Sequence, residues 1–352
     1  MSDIEWTGFT LGCWAGCSPE SPGCLHCYAT SDCHRFHGHY EDKPGMLVFN
    51  SNPRYPGLTF LPVDRLTKKS LGIGAKWTGE IRWYPHRLLG PLGRGKAALY
   101  FINSVSDPGH RAISRDDLGR HTIAAMMGLY VVCPQHIAQV LTKRSKFLRE
   151  WFTWAEIQAA QRSISLAEFC VRELIAEFHR AAAACDSHVD GAEWREQFIA
   201  AANEVTARWK HKTTPRRQGG IAIDETWPRR NIHIGASVED ALRKKRLDEL
   251  RATPAAVRFT SFEPLIDDVG EINLVGLDWA IWGGESKERA RECHIEWLRN
   301  GVRQCRRDGI PPFVKQLGAR PMLDGKPYPI TDAKGGDMSE WPEDLRVREM
   351  PG

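Results

Sequence analysis

Short, largely apolar segments that end in polar residues recur after residue 96. This repeated pattern limits the possible fold classes more than any other feature of the sequence. Buried parallel strands have this composition, and the longer amphipathic stretches between such segments are typical of helices. We therefore expect repeated βα units that form an α/β barrel, complete or partial, with a first strand near residues 6–11. The later segments lie at 98–102, 137–141, 231–235, 257–260, 279–282 and 312–314.

Two stretches between the predicted strands have the spacing of outer helices. In residues 114–130, Ser114 is a candidate N-cap, and residues 295–306 carry apolar side chains at helical intervals. Both stretches are predicted to be helices.

A longer stretch, about residues 155–212, interrupts this alternation of strand-like and helical segments because it is helical in character almost throughout. Its apolar stripe breaks near residues 186–191 and then resumes, so we interpret it as a helical hairpin inserted between the third and fourth strands. At 352 residues, one large domain with an insertion fits as well as two domains. We predict one domain over residues 1–352, with this insertion and a C-terminal extension over about 318–352.

Four cysteines fall within fifteen residues in the segment 13–28, the cysteine loop. Soft thiolates gathered this closely select zinc or an iron–sulfur cluster. Together, Cys13, Cys17, Cys24 and Cys27 supply the four thiolates of a closed zinc site. The alternative omits Cys13 and places three cysteines on a [4Fe-4S] cluster whose fourth iron is open to a ligand. The barrel pattern and its polar strand ends favour the cluster.

The other cysteines carry weaker signals. Cys33, followed by His34, His37 and His39, either completes a zinc site or belongs to a loop or short helix that covers the cluster. Five scattered cysteines are expected to be unreactive core thiols: Cys133, Cys170, Cys185, Cys293 and Cys305.

The composition is that of a protein with a large core, since 42% of the residues are hydrophobic and 26% are charged. The first residues lack the basic and apolar regions of a signal peptide, and no apolar run approaches the ~20 residues that span a bilayer. We expect a cytoplasmic protein without a membrane partner, in which clustered cysteines bind metal rather than form disulfides.

The formal net charge of +4 is too small to prove a nucleic-acid partner, although the basic residues are unevenly placed. Each of two basic runs is either a solvated surface or a patch that contacts phosphates. The first run is Arg208, Lys210, Lys212, Arg216 and Arg217, and the second is Arg243, Lys244, Lys245 and Arg246.

Polar residues follow the predicted strands directly, and the carboxyl ends of strands are where barrel enzymes carry their chemistry. Asn103, Ser104, Ser106 and Asp107 follow the second strand. Charged side chains follow other strands, and each is either a ligand-binding group or a member of a structural ion pair: Lys143, Arg144, Glu239, Glu263 and Lys315.

Eight ordered motifs lie between residues 3 and 316, and the resemblance that they carry covers about residues 3–351 apart from the helical stretch. They are Asp3-Ile4-Glu5-Trp6-Thr7, Gly16-Cys17…Ser21-Pro22-Gly23-Cys24-x-x-Cys27-Tyr28-Ala29, Phe101-Ile102-Asn103-Ser104-x-Ser106-Asp107, Gln139-Val140-Leu141-Thr142-Lys143-Arg144, Gly235-x-Ser237-Val238-Glu239-Asp240, Ser261-x-Glu263-Pro264-Leu265, Gly283-Gly284-Glu285-Ser286 and Phe313-x-Lys315-Gln316. Together they resemble the phage-associated three-cysteine radical S-adenosylmethionine family of bacterial and viral proteins.

This resemblance implies a partial (β/α) barrel of the radical S-adenosylmethionine type, with a [4Fe-4S] cluster on Cys17, Cys24 and Cys27. By position, the motif that begins at Asn103 is where such enzymes hold the methionyl amino group. The implied residues for binding S-adenosylmethionine are Asn103, Ser104, Ser106, Asp107, Lys143, Ser237 and Glu239, and the implied catalytic residues are Glu263, Glu285 and Lys315.

The sequence departs from the family pattern at two places. Gly12, Cys13 and Trp14 stand where relatives tend to have a tryptophan, an asparagine and a proline. Charged residues follow the Gly-Gly-Glu-Ser motif, at 287–289, where relatives often have glycine and proline. Because that motif lies on a late strand, we expect its glycines to permit close backbone approach rather than to bind the methionyl amino group.

The implied reaction begins when an electron donor such as flavodoxin or ferredoxin reduces the cluster, which cleaves S-adenosylmethionine to a 5′-deoxyadenosyl radical. The expected substrate is a thymine base, itself modified, in phage DNA or in a nucleoside. An enzyme of isomerase or lyase type would rearrange or trim this base in the host cytoplasm. Two alternatives stay open: a radical nucleic-acid repair lyase, and a non-catalytic, zinc-stabilised nucleic-acid-binding protein.

Overall fold

The computed structural model describes residues 4–34, 39–41, 47–50, 57–62, 74–185, 191–213 and 221–352. Its strands, in chain order, are β1 (Phe9–Leu11), β2 (Trp14–Ala15), β3 (His39–Glu41), β4 (Leu47–Asn50), β5 (Thr59–Pro62), β6 (Lys76–Trp77), β7 (Arg82–Trp83), β8 (Ala98–Ile102), β9 (His136–Thr142), β10 (Ile232–Ser237), β11 (Val257–Phe262), β12 (Trp279–Gly283), β13 (Cys293–His294), β14 (Pro312–Gln316), β15 (Pro321–Leu323) and β16 (Lys326–Pro327). Its α-helices are α1 (Tyr28–His34), α2 (Leu89–Gly93), α3 (Arg111–Ser114), α4 (Asp117–Val132), α5 (Ser145–Gln161), α6 (Leu166–Ala184), α7 (Gly191–His211), α8 (Lys245–Arg251) and α9 (Ile295–Asp308).

The main sheet has seven parallel strands in the order β1-β8-β9-β10-β11-β12-β14. These are the seven predicted strands, and β10 and β12 are buried along their whole length, as their apolar composition requires. Helices lie in the chain between most successive strands of this sheet, namely α3 and α4, α5 to α7, α8, and α9. The predicted α/β class is therefore confirmed, and the order of elements is compatible with a partial (β/α) barrel.

Both predicted outer helices are present, with one correction at an N-terminus. Helix α4 begins at Asp117 because the carboxylate of Asp116 accepts a hydrogen bond from the backbone N–H of Gly119 at 2.9 Å. The proposed N-cap Ser114 is wrong, since this residue ends α3 and its hydroxyl donates to the carbonyl oxygens of Gly109 and His110.

One compact unit of the chain comprises Met1–Trp14, Arg82–Ile234 and Ala252–Val257. Within it, α4 packs tightly on α6 at Gly128, where a Cβ would lie 2.2 Å from the carbonyl oxygen of Cys170. Its fully buried side chains include Tyr130, Trp151, Phe152, Phe169 and Phe178.

Helices α5, α6 and α7 follow one another in this unit and account for the helical stretch of the sequence. Helix α6 is capped by Ser165, whose hydroxyl accepts from the backbone N–H of Glu168 at 3.1 Å. The stretch begins earlier than predicted, since α5 starts at Ser145. Most of the predicted break near residues 186–191 lies outside the described residues, and α7 begins at Gly191. That this stretch is an insertion in a single domain stays a prediction.

The second compact unit comprises Ala15–Ile81, Gly235–Arg251 and Arg258–Gly352. Its core includes Trp279 and Trp282, and the ring of Trp282 stacks on Phe262 with centroids 4.0 Å apart. The same unit contains the antiparallel sheet β3-β4-β5-β6.

The last residues of the chain run antiparallel to β14. The backbone N–H of Val314 donates to the carbonyl oxygen of Val347 at 2.9 Å, and that of Glu349 donates to Pro312 at 3.0 Å. The indole of Trp279 also donates to the carbonyl oxygen of Glu349 at 2.7 Å. The segment 347–349 thus occupies the outer side of β14, although a C-terminal extension as a separate part of the domain stays a prediction.

None of the helices in the described part of the chain combines the length and apolar character that crossing a bilayer requires.

Candidate metal and cofactor site

The cysteine loop folds as a series of tight turns that lead into α1. Gly16 adopts a φ of +98°, and a Cβ at this position would meet the carbonyl oxygen of Glu80 at 1.9 Å. Further along, the backbone N–H of Cys24 donates to Ser21 at 2.9 Å, and that of Cys27 donates to Cys24 at 3.3 Å. Backbone hydrogen bonds therefore fix the turn that carries Cys24 and Cys27.

The three thiols predicted to hold the cluster share one environment. Cys17, Cys24 and Cys27 are half-buried and form no disulfides. The backbone N–H of Glu20 lies 3.5 Å from Sγ of Cys24, and N–H groups of this kind stabilise thiolates bound to iron. Thiols that are partly accessible and close in sequence are chemically suited to bind a cluster.

Cys13, the fourth cysteine of the zinc alternative, has a different environment. It is completely buried, and burial raises the pKa of its thiol far above the usual range. Because metals bind the thiolate, this site disfavours Cys13 as a ligand. Cys33 is also buried, within α1, and the neighbouring His34 is hydrogen-bonded through Nδ1 to the hydroxyl of Thr59 at 3.0 Å.

Four of the scattered cysteines lie in the core as predicted, and burial raises the pKa of Cys133 and Cys293 to about 12 and that of Cys305 to about 11. Cys170 is likewise buried. The prediction is wrong for Cys185, which is half-buried at the end of α6.

Among the residues that the structure describes, no group of three or more His, Cys, Asp or Glu side chains is arranged to hold a metal ion. The ligand set Cys17, Cys24 and Cys27 therefore stays a prediction, supported by the burial and chemistry of these thiols. His37 lies outside the described residues.

Glu239 connects the end of β10 to the cysteine loop. Its carboxylate is completely buried, accepts a hydrogen bond from the Ser21 hydroxyl, and pairs with Nη1 of Arg246 at 2.6 Å. A Cβ at Gly23 would lie 2.9–3.0 Å from atoms of this carboxylate, so the loop backbone approaches it closely. Arg246 also donates to the carbonyl oxygen of Ser237 at 2.9 Å, so one guanidinium contacts two predicted cofactor-binding residues, Ser237 at the end of β10 and Glu239 just after it.

Glu285 connects the end of β12 to the same loop. Its two oxygens accept hydrogen bonds from Nε and Nη2 of Arg291 at 2.9 and 2.6 Å, and Oε2 lies 3.1 Å from Nδ1 of His26. Burial acts to raise the pKa of Glu285, but the hydrogen bonds from Arg291 and His26 outweigh it and hold this pKa below the usual value. Glu285 is therefore an ionised, fully paired group.

The two other predicted catalytic residues are paired with each other. Nζ of Lys315, on β14, lies 2.5 Å from Oε1 of Glu263, which follows β11. Their side chains are 14% and 19% exposed, so the pair remains within reach of a ligand. The structure thus brings these residues together as an ion pair at the ends of two strands of the sheet.

At the end of β8, in the first unit, Asn103 adopts the left-handed conformation with a φ of 62°. Its side chain is buried, and its Oδ1 accepts from the backbone N–H of Trp14 at 3.3 Å. That contact fixes the orientation of the amide. Its Nδ2 has no hydrogen-bonding partner among the described residues, and neither does the hydroxyl of Ser106. A buried donor of this kind requires an acceptor, which a bound ligand, water or ion can supply.

Asp107 is hydrogen-bonded within the protein through both oxygens, and its predicted part in binding S-adenosylmethionine stays a prediction. Its Oδ1 accepts from the backbone N–H of Gly109 at 2.8 Å and from the Thr142 hydroxyl, and its Oδ2 accepts from Nη1 of Arg144 at 2.8 Å. The backbone N–H of Lys143 also donates to Oδ2 at 3.2 Å. Asp107 therefore joins the ends of β8 and β9, and Ser104 is half-buried in the same turn.

Of the basic-run residues that the structure describes, Arg208 and Arg246 are buried, Lys212, Arg243 and Lys244 are half-buried, and Lys210 and Lys245 are exposed. Arg208 is 2% exposed and donates to the carbonyl oxygens of Val132 and Leu92, while Arg246 is buried against Glu239. Arg243 pairs with Asp240 at 3.2 Å. Arg216 and Arg217 lie outside the described residues.

Sequence reasoning missed the partners of the predicted carboxylates. In the sequence, Arg246 belongs to a basic run that is either a solvated surface or a patch that contacts phosphates, and Arg291 and His26 have no predicted role. A signal existed for His26, which lies between two predicted cluster cysteines, and for Arg246, which falls seven residues after Glu239 on the following helix. Arg291 gives no such signal, because the segment between it and Glu285 is irregular and shows no helical or strand periodicity.

A family model described as a protein of unknown function (DUF5131) matches residues 1–324. No curated protein and no solved structure matches the chain.

Proposed function

Because the chain belongs to the DUF5131 family of proteins of unknown function, we propose its function from its own residues: it is a radical S-adenosylmethionine enzyme. The observation that carries this proposal is the setting of the cysteine loop. Half-buried thiols at Cys17, Cys24 and Cys27 lie in a loop that Glu239 and Glu285 attach to the ends of β10 and β12. Open α/β sheets bind ligands at the carboxyl ends of their strands.

Cys17, Cys24 and Cys27 would hold a [4Fe-4S] cluster, which supplies the electron that cleaves S-adenosylmethionine to methionine and a 5′-deoxyadenosyl radical. The chain's own residues prepare the site for it. Glu239 and Glu285 are neutralised by Arg246 and Arg291, so neither buried carboxylate competes with the thiols for metal.

Asn103 gives independent support for a bound cofactor. Its Nδ2 is a buried donor, oriented by Trp14, and a carboxylate or ribose oxygen of the ligand would supply the acceptor that it needs. We assign Asn103 and Ser106 to the binding of S-adenosylmethionine. Asp107, with both oxygens engaged, acts by holding this turn in place.

The lysine–glutamate pair of Lys315 and Glu263 is proposed to act on the substrate. Because the pair is partly exposed, either Lys315 or Glu263 can release the other and bind a polar group of a ligand instead. A thymine base in phage DNA or in a nucleoside is proposed as the substrate because of the resemblance to the phage-associated family. The basic runs support a DNA partner weakly, since Arg208 and Arg246 are buried.

The zinc-stabilised, non-catalytic alternative is less well supported. A site with four thiolates needs Cys13, whose thiol is completely buried and has a raised pKa. The repair-lyase alternative shares every feature of the proposed site and differs in the substrate alone.

The test is anaerobic purification and reconstitution with iron and sulfide. The proposal expects a brown protein with four irons per chain, absorbance near ~400 nm, and formation of 5′-deoxyadenosine from S-adenosylmethionine after reduction with flavodoxin or ferredoxin. Mass spectrometry of phage DNA nucleosides, with and without the active protein, would then identify the substrate. A colourless protein that contains zinc and does not cleave S-adenosylmethionine would overturn the proposal.

A further inference from the structure

The segment from Glu285 to Arg291 contacts the turn that carries Cys24 and Cys27 at three separate points. Before the first cysteine, Nη1 of Arg291 donates to the carbonyl oxygen of Pro22 at 3.0 Å. Between the cysteines, Oε2 of Glu285 lies 3.1 Å from Nδ1 of His26. These contacts belong to one compact unit and are made by side chains distant in sequence from the turn.

The third contact lies just after the second cysteine. Nζ of Lys287 donates to the carbonyl oxygen of Tyr28 at 3.3 Å and pairs with Asp32 of α1 at 3.0 Å. Lys287 itself has a φ of 79°, a conformation that is costly for a residue with a side chain. The cost is offset where surrounding contacts fix the backbone, and here the carbonyl oxygen of Lys287 accepts a hydrogen bond from the backbone N–H of Ala290 at 3.0 Å.

The segment is itself held in shape by Glu285, which is 5% exposed. The guanidinium of Arg291 binds both carboxylate oxygens of Glu285, and the backbone N–H of Arg291 donates to Oε2 at 2.9 Å. The backbone N–H of Ala290 donates to the carbonyl oxygen of Lys287 at 3.0 Å. Bidentate pairs of this kind define the geometry as well as the energy of a contact. The anchor points on the turn are therefore presented by a preorganised segment.

We propose that Glu285, Lys287 and Arg291 form a clamp of positioning residues that holds Cys24 and Cys27 in the conformation required to bind the cluster. This inference rests on the proposed function and assigns Glu285 a role in positioning rather than in catalysis. The ammonium and the guanidinium also place positive charge beside a loop whose three thiolates are negative when they bind iron.

The test is hydrogen exchange, measured by mass spectrometry on the metal-free full-length protein. The reporting amides are those of Cys24, Leu25 and Cys27, which are hydrogen-bonded within the turn. Arg291→Gln is expected to accelerate their exchange about tenfold, the effect of losing the one charge-assisted hydrogen bond that this guanidinium makes to the turn, at Pro22, while amides of β12 stay unchanged. Lys287→Met, a change at a residue that is 45% exposed, is expected to act in the same direction.

Two variants serve as matched controls. Arg289→Gln removes the same charge from the same segment at an exposed residue and should leave the exchange unchanged. Arg291→Lys keeps the charge but loses the bidentate geometry and should give an intermediate rate, a partial rescue that a general loss of packing would not produce.

Reconstitution with iron and sulfide supplies a second readout. Iron binding by Arg291→Gln should fall in parallel with its faster exchange, and the reduction potential of the iron that remains bound should become more negative because a positive charge is lost. If the wild-type protein binds no iron, the proposed function fails while the exchange data still test the clamp. Unchanged exchange in both Arg291→Gln and Lys287→Met would overturn the clamp, whatever the iron content.

Discussion

Arg144 binds Asp107 through a buried ion pair, with Nη1 2.8 Å from Oδ2, and so joins the turn after β8 to the end of β9. The two side chains are 4% and 8% exposed. Because Asp107 also accepts three other hydrogen bonds, removal of the guanidinium leaves a buried carboxylate only partly compensated.

We expect Arg144→Met to lower the free energy of unfolding by about 3–5 kcal/mol, the usual effect of removing one partner of a buried pair. Urea denaturation measures this change. Arg172→Met, which removes the 56% exposed partner of Glu168, should cost less than about 1 kcal/mol. Equal losses in the two variants would show that Asp107 does not depend on Arg144.

Asn103→Gly tests the ligand role of the amide without adding backbone strain, since glycine tolerates the φ of 62°. The variant should lower the unfolding free energy by about 1–3 kcal/mol, because the buried backbone N–H of Trp14 loses its acceptor. It should also weaken the binding of S-adenosylmethionine about tenfold, as expected when a buried hydrogen bond to a ligand is lost. Calorimetric titration of reconstituted protein measures the affinity. Unaltered affinity would remove Asn103 from the cofactor site.

Substitution of the cysteines separates the two metal sites that the sequence allows. Cys17→Ala, Cys24→Ala and Cys27→Ala should each abolish the absorbance near ~400 nm and the cleavage of S-adenosylmethionine. Cys13→Ala should retain both, at some cost in stability because its thiol is completely buried. Loss of iron with Cys13→Ala and its retention with Cys17→Ala would contradict the three-cysteine assignment.

Glu285 predicts a pH dependence of stability with a definite sign. Its pKa is lower in the folded protein than the ordinary value of 4.5, so the folded state binds fewer protons than the unfolded state. The stabilisation is complete above that ordinary value and is lost as the pH falls through the lowered pKa.

The difference in unfolding free energy between the wild-type protein and Glu285→Gln should therefore be largest near about pH 7 and shrink toward about pH 3. Urea denaturation across this range measures it. A difference that stays constant with pH would mean that the carboxylate is not ionised in the folded state.

The sheet could be predicted from sequence because its strands are short apolar runs such as Trp279–Gly283, whose burial on both faces leaves a clear signal. The antiparallel strands β3 to β6 could not, since Pro, Gly and Trp in that region obscure any alternation. The start of α4 was misplaced because Ser114 and Asp116 are both good caps, and the choice between them depends on tertiary hydrogen bonds.

For the site, sequence placed Glu239, Glu263, Glu285 and Lys315 at strand ends, where the structure has them. It could not tell which of these groups are paired. Arg246 and Arg291 reach their carboxylates through packing geometry that no local pattern encodes. Lys315 and Glu263 are 52 residues apart in the chain, and their contact depends on the positions of β11, β12 and β14 in the sheet.

The segment 347–349 that runs beside β14 has a consequence for solubility. Backbone donors and acceptors on the open flank of a sheet can template pairing with another chain, a common route to aggregation. Here Val347 and Glu349 use those groups of β14, and Arg348 donates to the carbonyl oxygens of Val314 and Lys315 at 3.2 and 2.8 Å. The segment 347–349 thus covers the exposed edge of β14, and we expect it to protect the sheet from pairing with another chain.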